Sequence, residues 1–303
     1  MAGLKELRTR IESIKSTHKI TAAMKMVSAS KFRRAQLTLD KSESFQDMLL
    51  ANIKKVLAEL KMQEAERHIQ FVMPKLLIQP TNPQVYALFV LASDKGLCGS
   101  YNSMIAKEAK RRIDELTEEG KKVLVFCYGK KALSSLNRYG VRNIAGAYSN
   151  VIKKHLTYAE ALSFLRDVWD KKNQYQVDVC EIVYSDFLSG LSKTYLSKQV
   201  IPLDIHLAEE EQQLNRIGSA FYEYLPDPWE TLHQFLNLYV RTSMFEILIN
   251  SQASEHVARM TSMDNATRNA QDMIKSLTFK YNSLRQSAIT TELVEIVAGA
   301  EAM

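Results

Sequence analysis

Apolar residues recur at steps of three and four at both ends of the chain. Leu4, Leu7, Ile11 and Ile14 open the series, and Leu49, Ile53, Val56 and Leu60 repeat it, which is the spacing of one helix face. Between these runs Ile20, Ala23, Met24 and Val27 keep helical period but leave the first frame; such a slip reads as a stutter in a coiled coil. Gly3 is the one glycine of this stretch and no proline occurs before Pro74. The pattern predicts a helix of about 57 residues, roughly 85 Å at 1.5 Å per residue. The other end is cleaner. Met260, Met263, Thr267, Ala270, Ile274, Leu277, Tyr281, Leu284 and Ala288 alternate three and four without a break, a coiled-coil seam. No glycine or proline falls between Trp229 and Gly299, so helix is predicted over some 70 residues.

The middle changes character at Pro74, Pro80 and Pro83. Val85 to Ala92 reads as a buried strand, followed by a helix from Ser103 to Leu116, a strand from Val123 to Tyr128 and a short helix from Lys130 to Arg138. A helix from Thr157 to Lys171 and strands from Val177 to Phe187 and Thr194 to Ile205 complete the section. Strands alternating with helices of 10 to 15 residues predict a small, largely parallel sheet covered by helices. Pro226 and Pro228 then mark the entry into the last helix, as proline near a helix start commonly does. The predicted fold class is α/β: a Rossmann-like α/β domain over residues 74–208, inserted between long helices over 1–73 and 209–303 that pair as an antiparallel coiled coil.

Charge adds a second asymmetry. Of the chain's net +6, residues 1–34 supply nine basic residues against Glu6 and Glu12, a local net of +7. Such a segment attracts an acidic partner, whether protein, nucleic acid or an anionic surface. A coiled-coil nucleic-acid binder is the alternative reading, but Phe32 is the one aromatic among those charges, where stacking would want several. The 46% apolar and 24% charged fractions are those of an ordinary globular chain. No stretch has the roughly 18 to 20 apolar residues that a spanning helix needs.

The α/β section raises the question of a nucleotide site. The turn Ser93-Asp94-Lys95-Gly96-Leu97-Cys98-Gly99-Ser100-Tyr101-Asn102 follows the first strand with neither phosphate-loop spacing; it reads as a strand-to-helix turn capped by Ser100 or Asn102. Gly129-Lys130-Lys131 lacks the earlier glycine of a P-loop, and the six histidines never fall at metal-pair spacing. Cys98, Cys127 and Cys180 are far apart and read as small buried residues. No catalytic residue, cofactor or metal is expected.

Three separated motifs carry a family resemblance over nearly the whole chain. The opening MAGLKELRTRIESIKSTHKITAAMKMVSASKFRRAQ, the SDKGLCGSYN turn, and the closing SEHVARMTSMDNATRNAQDMI with YNSLRQSAITTELVEIVAGA resemble the gamma subunits of F-type ATP synthases, in a bacterial, alphaproteobacterial-like form. The resemblance implies a non-catalytic rotor shaft. Its coiled coil would enter a hexamer of alternating alpha and beta subunits, and its foot would rest on the c-subunit ring beside an epsilon subunit. It further implies that Met24 and Lys25 lie at a lever contact with an acidic beta-subunit loop, and that Arg259, Arg285, Gln286, Thr290 and Glu292 catch beta subunits as the shaft turns. Two departures stand out: Leu225 precedes the Pro-Asp-Pro stretch where many members carry an acidic residue, and the inserted cysteine pair of the chloroplast branch has no counterpart. The start at the mature helix, without an Arg- and Ser-rich leader, leads us to expect a bacterial protein held at the cytoplasmic side of the inner membrane by its complex.

Overall fold

A computed structural model describes residues 2–67, 73–149, 156–189, 192–204 and 224–301. The first helix, α1, runs Ala2–Arg67 and the last, α5, runs Pro228–Glu301. Between them lie β1 (Val85–Leu91), α2 (Tyr101–Glu118), β2 (Lys122–Tyr128), α3 (Lys130–Arg138), β3 (Ile144–Tyr148), α4 (Tyr158–Gln174), β4 (Val179–Ser189) and β5 (Ser192–Ile201). The expected strand end at Ile205 lies outside the described residues.

The five strands form one sheet in the order β3-β2-β1-β4-β5. The first four pair in parallel, and β5 returns antiparallel along β4. The β1 sequence VYALFVL is an apolar run because its strand is central and covered on both faces, with Ala87 through Leu91 fully buried. On one face Phe89 and Phe126 stack at 5.2 Å, joined by Phe164 and Val168 of α4 and by Met244, Ile247 and Leu248 of α5. Each such side chain contributes about 1.5–3 kcal/mol by leaving water. The other face is held partly by charge. Arg112 of α2 donates to both oxygens of the buried Glu181 at 2.8 and 2.6 Å, and Ser197 of β5 donates a third bond at 2.7 Å. Fork geometry and a satisfied carboxylate are what make a buried pair tolerable.

Contacts divide the chain into two compact units. One holds residues 1–30, 97–99 and 256–303; the other holds 31–96 and 100–255. The second unit contains the sheet and a further cluster in which Leu49, Ile53, Val56 and Leu57 of α1 meet Leu232, Leu236 and Val240 of α5. Helix starts are set locally. Thr157 and Glu160 form a reciprocal capping box at α4, and Asp227 accepts from the Glu230 amide at 2.9 Å before α5.

The expected stutter does not occur. The frame of Leu4, Leu7, Ile11 and Ile14 continues unbroken through His18, Thr21, Lys25, Ser28, Phe32, Ala35, Leu39, Ser42 and Gln46 to Leu49, Ile53, Val56 and Leu60. Thr21 and Ser28 are buried, whereas Ile20 and Val27 are each 57% exposed. Polar side chains occupy the seam here because they find partners in it: Gln46 donates to Ser243 at 3.0 Å, and the Thr21 and Lys25 contacts follow below.

Candidate functional site

The strand-to-helix corner, where an α/β fold would cradle a phosphate, is filled by protein groups. The Ser93 amide donates to Asn102 Oδ1 at 3.0 Å, so Asn102 ties the turn together instead of capping α2; Ser100 occupies the cap position without a side-chain bond. At the start of α3, the Lys130 amide donates to Asp94 and the Lys131 amide to the Ser93 carbonyl, both at 3.0 Å. These are the donors an anion would need. Gly129 sits at φ +99°, and a Cβ there would lie 2.1 Å from the Ala92 oxygen, so the glycine permits backbone contact and not ligand approach. Among the described residues no group of His, Cys, Asp and Glu could hold a metal. The three cysteines are buried, and burial pushes the Cys127 and Cys180 thiols up to about 12.

The first unit is built differently. The C-terminal seam appears as the spacing predicts at all but one position: Met263 and Ala270 are buried, Met260, Thr267, Ile274, Leu277, Tyr281 and Ala288 are half-buried, and Leu284 is 42% exposed. Opposite them on α1, Thr267 donates to Thr21 Oγ1 at 2.8 Å, which donates on to the His18 carbonyl at 3.1 Å. Lys25 Nζ meets Asp264 Oδ1 at 2.6 Å, and Arg268 reaches the other oxygen at 3.1 Å. The Lys25 hydrogen bond, aided by the charges of Lys25 and Arg268, holds the Asp264 carboxyl below its usual range. The turn residues Leu97–Gly99 belong to this unit, with Leu97 at φ +64° and Gly99 at φ +57° beside Ser262. A non-glycine residue in that region costs about 1–2 kcal/mol.

The resemblance-derived residues fall into two groups. Lys25 forms the pair with Asp264 and Met24, half-buried, precedes it in α1; Arg259 lies just over one turn before Asp264, half-buried and engaged in a contact. Arg285, Gln286, Thr290 and Glu292 follow more than 20 residues later, all exposed, on the order of 30 Å further along the helix. Thr290 donates to the Gln286 carbonyl at 2.9 Å, while the Arg285, Gln286 and Glu292 side chains make no bond among the described residues. Beside them Leu293, Val294 and Val297 line an open apolar cleft of about 340 Å³. Sequence reading missed Asp264 as the partner of Lys25. Extending the three-four alternation of α1 through polar residues would have placed Lys25 in the seam and pointed across to it.

Comparison with known proteins agrees with this architecture along its full length. A family model described as ATP synthase matches residues 3–303. The ATP synthase gamma chain of Paramagnetospirillum magneticum is 39% identical over 304 residues, and that of Erythrobacter litoralis is 39% identical over 303, each alignment covering all of both chains. Among solved structures, a chain of the Tetrahymena thermophila mitochondrial ATP synthase central stalk and c-ring is 26% identical, with a TM-score of 0.53 over 82% of this chain and 99% of that one. A chain of the Euglena gracilis mitochondrial enzyme, in an F1 and c-ring assembly, has a TM-score of 0.62 at 18% identity, covering 100% of this chain and 95% of that one, and speaks for the fold. A family match over residues 3–303 and 39% identity to curated gamma chains along their whole length lead to one conclusion: the chain belongs to the ATP synthase gamma chain family.

Proposed function

We propose that this chain is the central rotor shaft of an F-type ATP synthase, a non-catalytic subunit that couples rotation of a c-subunit ring to the catalytic sites of an alpha-beta hexamer. The observation that carries the reading is identity to gamma chains from end to end, through both helices and the inserted sheet. Residues 1–73 and 209–303 supply the shaft and residues 74–208 the foot. The shaft enters the hexamer, the foot meets the c-ring and an epsilon subunit, and the assembly holds the chain at the cytoplasmic face of the inner membrane. No described helix is long and apolar enough to cross a membrane.

The chemistry available to such a shaft is electrostatic and steric. Lys5, Arg8, Arg10, Lys15 and Lys19 are exposed along α1 and suit an acidic loop on each beta subunit. Met24 and Lys25 serve as the lever contact; Arg259, Arg285, Gln286, Thr290 and Glu292 serve as the catch. One exposed ion pair is worth only about 0–1 kcal/mol, so the catch works through several weak contacts made in turn. That suits a rotor, which must release each catalytic subunit as readily as it engages it. The comparisons give the nucleic-acid reading no support. The test is ATP hydrolysis by alpha and beta subunits reconstituted with and without the chain. Multisite turnover that depends on the chain, with none from the chain alone, supports the reading; hydrolysis by the isolated chain overturns it.

A further inference from the structure

The second unit contains a cleft that neither the shaft nor the sheet chemistry uses. It lies where α4 and α5 meet the turn at Pro74–Leu77 and encloses about 400 Å³. Its floor is aliphatic: Leu76, Leu162, Leu165 and Val240. Its rim carries three cations from three elements, Lys75, Arg166 and Arg241, against one carboxylate, Asp170. Trp169 stands at the edge with 39% of its surface exposed.

Two properties separate this cleft from an ordinary surface groove. The floor is fixed in advance. Leu165 packs against both hydrophobic clusters, the Leu76 carbonyl accepts from the Leu203 amide at 2.7 Å, and the Leu77 amide closes the turn on Pro74 at 2.8 Å. The rim, by contrast, is uncommitted: among the described residues Lys75, Arg166 and Arg241 make no ion pair or hydrogen bond. Their charge is therefore available to a ligand, unlike that of Arg111 on α2, which is spent on Glu108 and Glu115 of its own helix. An apolar well ringed by free guanidinium groups and an exposed indole has the composition of an interface anchor site.

We propose that this cleft is a docking site for an acidic segment of a partner polypeptide, which seats one apolar side chain on the aliphatic floor and places flanking carboxylates on the cationic rim. The polypeptide class follows from the layout. The aliphatic floor takes an apolar side chain, the three cations come from three separate elements, and the lining carries three positive groups against one carboxylate. The surface does not involve the catch residues, so its fate is separate from that of the shaft reading.

The experiment is fluorescence anisotropy of a labelled, end-blocked peptide EELFEE titrated with the full-length chain, beside matched peptides QQLFQQ and EESSEE. Saturable binding of EELFEE is expected, weakened on the order of tenfold by R166E/R241E and by raised salt, and weakened comparably by Trp169→Ala. Both control peptides are expected to bind at least about tenfold more weakly. Equal affinity for QQLFQQ, unchanged affinity in the variants, or binding of decanoate in the absence of peptide binding would each overturn the proposal, the last in favour of a small amphiphilic anion. If a variant fails to fold, the three-peptide comparison on the unaltered chain still decides.

Discussion

The two units keep their shape by different means. The sheet unit buries Phe89, Phe126, Ile182 and Ile53 completely and satisfies its inner charges, as Arg112 does for Glu181. The paired-helix unit buries few large side chains, fills part of its seam with threonine, lysine and serine, and leaves Ile20, Val27, Phe279, Ile296 and Val297 more than half exposed. The first is a self-sufficient core; the second has contact surface to spare. Apolar surface on that scale marks a partner interface, which is what a shaft working inside other subunits requires.

The contrast can be broken by mutation. The largest effect is expected from Phe126→Ala, which empties the centre of the sheet and should cost about 3–5 kcal/mol in chemical denaturation. Gly129→Ala forces a Cβ against the Ala92 carbonyl at positive φ and is expected to cost about 1–3 kcal/mol, read the same way. In the paired-helix unit the corresponding experiment should go the other way. Replacing both seam hydroxyls, Thr21→Val with Thr267→Val, removes their mutual hydrogen bond and their bonds to the His18 and Met263 carbonyls, but those carbonyls lie within helices and no hydroxyl is left orphaned, so stability is expected to change by less than about 1 kcal/mol or to rise. Loss of several kcal/mol would show that the polar seam is a stabilising core after all.

The smallest prediction concerns pH, where the two units oppose each other. Asp264 is held below its usual range by Lys25, so its contribution is present above the ordinary carboxylate pKa and is lost as pH falls through the lowered value. In the sheet unit, burial raises Glu246, with the neighbouring Glu43, Asp186 and Asp47 adding to the effect against the pull of Lys198; burial also raises Asp186. Ionising such groups destabilises the fold, and the penalty is relieved as pH falls from neutral through their raised values. Mild acidification is expected to increase amide protection around β4 and α5 residues 244–250, and stronger acid to decrease it near Lys25 and Asp264. Glu246→Gln should weaken the first response, leaving the share of Asp186, and Asp264→Asn should abolish the second, both measured by hydrogen exchange.

Much of this was legible in the residues, and the gaps have physical causes. Long helices, the C-terminal seam, the buried β1 run and the closed corner all follow from spacing and from missing motifs. The strand β3 was not predicted because IAGAY is short and half-exposed at the sheet edge, with no apolar run to mark it. The α1 seam was misread because a frame read from apolar residues follows Ile20 and Val27 out to solvent and abandons the buried Thr21 and Ser28; the partner of Thr21, Thr267, lies more than 200 residues away. Lys25 carries the same lesson, since charge alone does not say which opposite group it meets. The cleft beside Trp169 was overlooked although Leu162, Leu165, Arg166, Trp169 and Asp170 share one face of α4.

The most direct test of the shaft is mechanical. The native cysteines are buried, so a bead can be attached through Glu118→Cys on the exposed end of α2 while the alpha-beta hexamer is fixed to a surface and supplied with ATP. The account predicts stepwise rotation of the bead in one direction, driven by hydrolysis. Sustained hydrolysis beneath a stationary bead would contradict it.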